Sequence, residues 1–171
     1  IVDITGSLVA FELLFRESFD EVDAQRPDDL HASSHVIARV LADIGVAASL
    51  GRFTGYVNVD RALLMSDMVE LLPPGRFVLE ILETTQIDAG LAERIRALRE
   101  RGYRFALDDV ANGDDSRLQW LSLVDIVKVE LAPTSHGPWL QLARELKPSG
   151  RTLLAEKVET HEQFRLAREA G

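Results

Sequence analysis

Seven runs rich in Val, Ile, Leu and Phe, at 1–4, 8–15, 55–59, 77–82, 104–107, 125–129 and 152–158, are separated by stretches with a different rhythm. After the opening pair, the intervening segments at 35–44, 62–72, 89–101, 116–123, 139–147 and 161–170 repeat their apolar residues at helical spacing. This alternation constrains the fold more than any other feature. Strands that are apolar almost throughout must be covered on both faces, and helices between them supply the cover. The pattern therefore predicts an α/β protein with a mainly parallel sheet, either open and doubly wound or closed as a barrel. The punctuation agrees. Gly45, Gly102 and Gly150 stand where helix C-terminal caps belong, Pro73-Pro74-Gly75 stops one helix, and Asp88 and Thr160 are suited to cap the helices that follow them. The first two runs are joined only by Thr5-Gly6-Ser7, too short for a parallel crossover, so an antiparallel opening hairpin is expected.

At 171 residues the chain is long enough for one substantial core, and a single domain over 1–171 is expected. No apolar run approaches the roughly 20 residues that a bilayer requires, so neither a membrane span nor a membrane partner is expected. A formal charge of −9, without a basic stripe, disfavours duplex DNA or RNA as a partner. With no cysteine, thiolate metal sites and a cysteine nucleophile are excluded, and a reducing cytoplasm is the expected location. Any metal must sit on oxygen or imidazole.

Polar residues interrupt the strands in a regular way. Glu12 lies in Val9-Ala10-Phe11-Glu12-Leu13, Asn58 in Tyr56-Val57-Asn58-Val59, and Glu80 in Val78-Leu79-Glu80-Ile81. Asp108 and Asp109 end Phe105-Ala106-Leu107, Lys128 sits in Ile126-Val127-Lys128-Val129, and Glu156 follows Leu153-Leu154-Ala155. An unpaired buried charge costs several kcal/mol, so a row of them at similar strand depth calls for mutual compensation or a shared ligand. In α/β barrels the ends of parallel strands converge on one face, which would gather this row at one mouth. Crowded carboxylates repel unless a cation lies among them, and an all-oxygen set with one amide suits magnesium, manganese or calcium. Adjacent Asp108 and Asp109 can each face one of two ions, as in sites that clamp both oxygens of a phosphoryl transfer. Lys128 can orient or deprotonate a water, or neutralise the carboxylates; the sequence does not choose. Arg16 shares the parity of Glu12 and is either a phosphate contact or a surface arginine.

These segments also have recognisable wording. Glu12-Leu13-Leu14-Phe15-Arg16 resembles the Glu-x-Leu-x-Arg signature of the EAL-domain family of cyclic di-GMP phosphodiesterase barrels. Val57-Asn58, Leu79-Glu80-Ile81-Leu82-Glu83, Leu107-Asp108-Asp109, Asp125-Ile126-Val127-Lys128 and Leu154-Ala155-Glu156-Lys157-Val158-Glu159-Thr160 resemble its later motifs in the right order. The resemblance implies a modified TIM-type barrel with one antiparallel strand, of which the last strand and helix would lie beyond Gly171. It implies that Glu12, Asn58, Glu80, Asp108, Asp109 and Glu156 hold two magnesium or manganese ions, and that Lys128 lies near the nucleophilic water, making Lys128 and Glu156 the catalytic pair. By the same resemblance Arg16 contacts a substrate phosphate, Glu83 steadies the loop after the paired aspartates, and Glu159 is the second glutamate of the last motif. A homodimer is the family habit. The wording Leu-Glu-Ile-Leu-Glu and Ala-Glu-Lys-Val-Glu-Thr is closest to the subgroup in which the barrel precedes an HD-related output domain.

The departures bear on activity. Val110-Ala111-Asn112-Gly113 replaces the family's Phe-Gly-Thr-Gly, Leu82 replaces a threonine, Glu130 an aspartate, and Lys157 a glycine beside Glu156. Strand alternation is expected to point Lys157 away from Glu156. The expected function is a degenerate regulatory domain that binds cyclic di-GMP or a partner protein with little hydrolysis. The alternatives are a competent phosphodiesterase giving the linear dinucleotide and an interaction scaffold without nucleotide. His31, His35, His136 and His161 read as cap or loop residues, Asp114 and Asp115 as a helix cap, and Trp120 and Trp139 as packing groups.

Overall fold

A computed structural model of the chain describes residues 1–13, 50–131 and 137–171. Among these residues six strands lie side by side in chain order: β1 (Ala10–Glu12), β2 (Thr54–Val59), β3 (Phe77–Ile81), β4 (Arg104–Val110), β5 (Ile126–Glu130) and β6 (Thr152–Glu156). Every neighbouring pair is parallel. Among the described residues the α-helices are α1 (Arg61–Met65), α2 (Ala89–Glu100), α3 (Gly137–Leu146) and α4 (His161–Ala170).

The two-residue period of a strand sorts its side chains onto two faces. Val57, Val59, Leu79, Ile81, Phe105, Leu107, Val127 and Val129 share the main core with Leu63 and Leu64 of α1, Leu91, Ile95 and Leu98 of α2, and Trp139, Leu142 and Leu146 of α3. Residues of the opposite parity, Ala10, Tyr56, Val78, Ala106 and Ile126, form a second small cluster with Ile1 and Leu154. This sheet is not flat. Strands β1 and β5 are four places apart, about 19 Å in a planar sheet, yet Lys128 Nζ on β5 lies 3.4 Å from Glu12 Oε1 on β1. Curling into a half-barrel brings them within reach, with the second cluster on the concave side. Gly55 sits opposite Phe77 in the register of β2 and β3. A Cβ there would lie 2.9 Å from Leu50 Cδ1 and from the Phe77 ring, so only glycine lets these side chains close over the strand.

The caps form as the sequence suggests: Asp88 accepts from the N–H of Leu91, and Thr160 and Gln163 make a reciprocal capping box. Elsewhere the structure corrects the expectation. The helix expected over 62–72 is α1 followed by a 3₁₀ turn at Asp67–Leu71. The break falls at Ser66, whose extended backbone (φ −94°) is held by its own hydroxyl, donating to Leu63 O and accepting from Met68 N–H. The segment at 116–123 is a 3₁₀ helix, not an α-helix. The antiparallel opening strand reduces to one isolated bridge, Val2 with Leu8, and every strand of the sheet is parallel. Its cause is local: the Asp3 carboxylate accepts from Thr5 N–H, the Thr5 hydroxyl and Ser7 N–H, winding 3–7 into a turn that cannot carry a ladder. Residues 14 and 15 of the expected second strand, the helix at 35–44, Gly45, Arg16, His31, His35 and His136 lie outside the described residues.

Candidate functional site

Six of the seven polar residues of the row, all but Asp109, stand two positions beyond an apolar residue of the concave cluster: Glu12 after Ala10, Asn58 after Tyr56, Glu80 after Val78, Asp108 after Ala106, Lys128 after Ile126 and Glu156 after Leu154. Strand parity therefore puts a polar layer directly above an apolar floor, at the C-terminal ends of the strands. Lys128 is its hub. The ammonium lies 2.6 Å from Glu80 Oε1, 2.6 Å from Asp108 Oδ1, 2.8 Å from Glu156 Oε1 and 3.4 Å from Glu12 Oε1. The lysine and Glu80 side chains are 1% and 0% exposed, so this charge balance is struck out of water.

Among the described residues, one ammonium stands against four carboxylates, a net negative set. Burial, opposed only in part by the Lys128 ammonium, lifts the Glu80 carboxyl from an ordinary 4.5 to about 7. Glu156 is raised for the same reason, desolvation outweighing its bond from Lys128. Burial pulls the lysine downward, but its bonds to Asp108, Glu156 and Glu80 win and its pKa is raised. Lys128 is thus held as the cation, in ion-pair contact with all four carboxylates. Glu80 Oε2 and Glu156 Oε2 are buried without a hydrogen-bond donor, while Glu80 Oε1 has the Lys128 ammonium 2.6 Å away. Orphaned hard oxygens in a negative, nearly dry layer fit a divalent cation.

Adjacent strand residues normally face opposite sides, and β4 breaks that rule. Its register with β5 shifts between Leu107 and Val110, and Asp109 takes a left-handed φ of 47°. That bulge turns both aspartates to the same side, where Glu83, Asp108 and Asp109 each offer an oxygen within 4.8 Å of the others. Glu83, expected to steady a loop, is thereby placed in ligand distance of the paired aspartates. Asn58 is aligned with Glu80 in the register of β2 and β3, but its side chain belongs to an exposed residue and is outside the Lys128 cluster. Glu159 is exposed; its backbone N–H donates to Gln163 Oε1 in the cap of α4, away from the carboxylates.

Two contacts were not legible in the sequence. Lys157, expected to point away from Glu156, pairs with other carboxylates: it takes a left-handed φ of 54° just after β6, and its ammonium lies 2.8 Å from Glu130 and 3.5 Å from Asp109. Arg117 is buried: it grips the Asp115 carboxylate through Nε and Nη2 and donates through Nη1 to Ile81 O, 3.1 Å away. It ties the loop after the paired aspartates to the end of β3, one residue past Glu80. An acidic residue two before an arginine was the only available signal, and it equally describes a simple cap. His161 is an exposed first residue of α4, and Trp139 is packed in the main core.

The EAL domain family model matches residues 64–171. Over 168 residues, 96% of this chain, it is 30% identical to the uncharacterized protein YuxH of Bacillus subtilis (strain 168). It is also 30% identical, over its whole length, to the cyclic di-GMP phosphodiesterase CdgJ of Vibrio cholerae. The chain spans 41% and 40% of the lengths of these two relatives. Among solved structures, Bacillus subtilis YkuI, a protein with an EAL domain in complex with cyclic di-GMP and calcium, superposes with a TM-score of 0.68 at 23% identity over 88% of this chain and 43% of its own. The curled parallel sheet is the shared architecture. On the matched model and on the two relatives aligned along nearly all of its length, the chain belongs to the EAL domain family.

Proposed function

We propose that this domain binds cyclic di-GMP, or a closely related anionic dinucleotide, through divalent metal held by its carboxylate layer, and that it acts as a regulatory module with little or no hydrolysis. The observation that carries the proposal is the layer itself: Glu12, Glu80, Asp108 and Glu156 converge on one buried ammonium while Glu80 Oε2 and Glu156 Oε2 keep no donor. Glu80, Asp108 and Glu156 would hold a magnesium or manganese ion, with Glu12 and Asn58 at the rim, and a competent two-ion site would need Asp109 with Glu83 to hold a second. Such ions supply charge neutralisation of a phosphodiester and activation of a water. Lys128, kept protonated by its neighbours, holds the carboxylates together and balances the anion. Asp109 sits on a bulge followed by Val110 and Ala111 where the family has Phe-Gly, and weakened hydrolysis follows from a loop that has lost that glycine's freedom. The relative CdgJ supports a second reading, a competent phosphodiesterase that opens the ring to the linear dinucleotide. A homodimer, an HD-related output domain elsewhere in the protein and a cytoplasmic location belong to the same proposal.

Purified protein incubated with manganese and cyclic di-GMP, with products separated chromatographically, tests it alongside calorimetry of the same mixture. Binding with little linear product is expected. Robust linear product that disappears in Glu12→Ala and Lys128→Ala establishes the phosphodiesterase instead. No binding with or without metal refutes both and leaves an interaction scaffold.

A further inference from the structure

Among the described residues the only non-glycine positions with left-handed φ are Asp109 and Lys157, and these two meet. Asp109 is reached from β4 by a bulge and Lys157 from β6 by a turn, with Glu130 at the end of β5 between them. The ammonium of Lys157 bridges the gap, 2.8 Å from Glu130 Oε1 and 3.5 Å from Asp109 Oδ1. A side chain in the left-handed region is disfavoured unless the surroundings hold it there, and such outliers gather at functional sites. Glycine would meet that backbone demand without strain. A lysine there therefore brings a cation to Asp109 at a conformational cost. Deeper in the same layer, Oε2 of fully buried Glu80 has no hydrogen-bond donor, whereas Oε1 is paired with Lys128.

We propose that the Lys157 ammonium is the resident counter-cation of Asp109, so that this domain takes one divalent ion, at the Glu80–Asp108–Glu156 end, while the position beside Asp109 is filled by the protein's own side chain. This rests on the reading of the layer as a divalent-cation site. It explains how a domain with its carboxylates intact loses the two-ion geometry that phosphodiester hydrolysis uses, and it ties single-ion binding to one residue. Glu130 is the second anchor, keeping the ammonium from swinging into solvent from a half-exposed position.

The test counts manganese without reference to turnover. Calorimetry, with electron paramagnetic resonance of free Mn2+ as an independent count, is applied to the protein and to Lys157→Gly, Lys157→Asn and Lys157→Arg. Asparagine tolerates left-handed φ and carries no charge, whereas arginine keeps the charge. The expected result is one ion for the protein and for Lys157→Arg, and a second ion bound at least roughly tenfold more tightly in both Lys157→Gly and Lys157→Asn, the factor that repulsion between a single and a double charge at contact range sets in a watery medium. A gain in Lys157→Gly alone would mean backbone relief and overturn the proposal. Two ions bound equally by all four proteins overturn it while leaving the cation site intact. No manganese bound by any of them overturns the cation site and this inference together.

Discussion

Glu80→Gln isolates the electrostatic strain in the carboxylate layer. The glutamate is fully buried, faces Lys128, Asp108, Glu12 and Glu156, and titrates in the folded protein at about 7 instead of 4.5. Because the folded-state value is the higher one, the folded protein binds more protons than the unfolded chain between those two values, and stability falls as pH rises through that window. Below it Glu80 is neutral in both states and adds no such cost; above it the full cost is present. Lifting the carboxyl from 4.5 to about 7 corresponds to a penalty on the order of 3 kcal/mol. Glutamine has nearly the same shape, never ionises, and offers its N–H groups to the neighbouring carboxylates. The stability of Glu80→Gln relative to the parent is therefore expected to rise by on the order of 3 kcal/mol between pH 4.5 and pH 8. Urea unfolding in EDTA, followed by circular dichroism at several pH values, measures that difference, and following its change with pH cancels any fixed packing effect. Adding manganese is expected to favour the parent again, by about 2.7 kcal/mol at a hundredfold excess over its dissociation constant. A stability difference that is flat with pH, or a variant that weakens as pH rises, would refute the reasoning.

Lys128→Met removes the sole ammonium among four carboxylates and is expected to cost about 3–5 kcal/mol at pH 8 in EDTA, read from the urea midpoint. Arg117→Ala leaves Asp115 and the Ile81 carbonyl without their buried donor; a loss of about 2–3 kcal/mol is expected, visible as a lowered thermal midpoint. Thr160→Ala breaks the capping box of α4 and should cost about 1 kcal/mol, with faster amide hydrogen exchange in the first turn of that helix.

Much of the site is a matter of parity. Ala10 and Glu12, Val78 and Glu80, Ala106 and Asp108, Ile126 and Lys128, Leu154 and Glu156 are each two apart, and a strand puts such pairs on one face whatever the rest of the protein does. That local rule, with the helix caps at Asp88 and Thr160, makes the layered parallel sheet and the polar row readable without coordinates. Parity fails where the backbone departs from a plain strand. It cannot see the bulge that turns Asp109 beside Asp108, nor the left-handed turn that sends Lys157 across Glu130, because both depend on how three neighbouring strands end together. Nor could composition distinguish Asp115 as a surface cap from Asp115 as the partner of a buried Arg117.

The amino-acid sequence alone determined the alternation of strand and helix, the family wording and the set of residues that share the concave face, since each follows from contacts no more than a few residues long. Only the tertiary structure decided what those residues do to one another. The sheet's curl carries Glu12 from the first strand to within 3.4 Å of Lys128 on the fifth, and burial then turns a row of ordinary acids into a layer short of positive charge. Curl and desolvation are properties of the assembled sheet, summed over distant segments, and no local pattern encodes them.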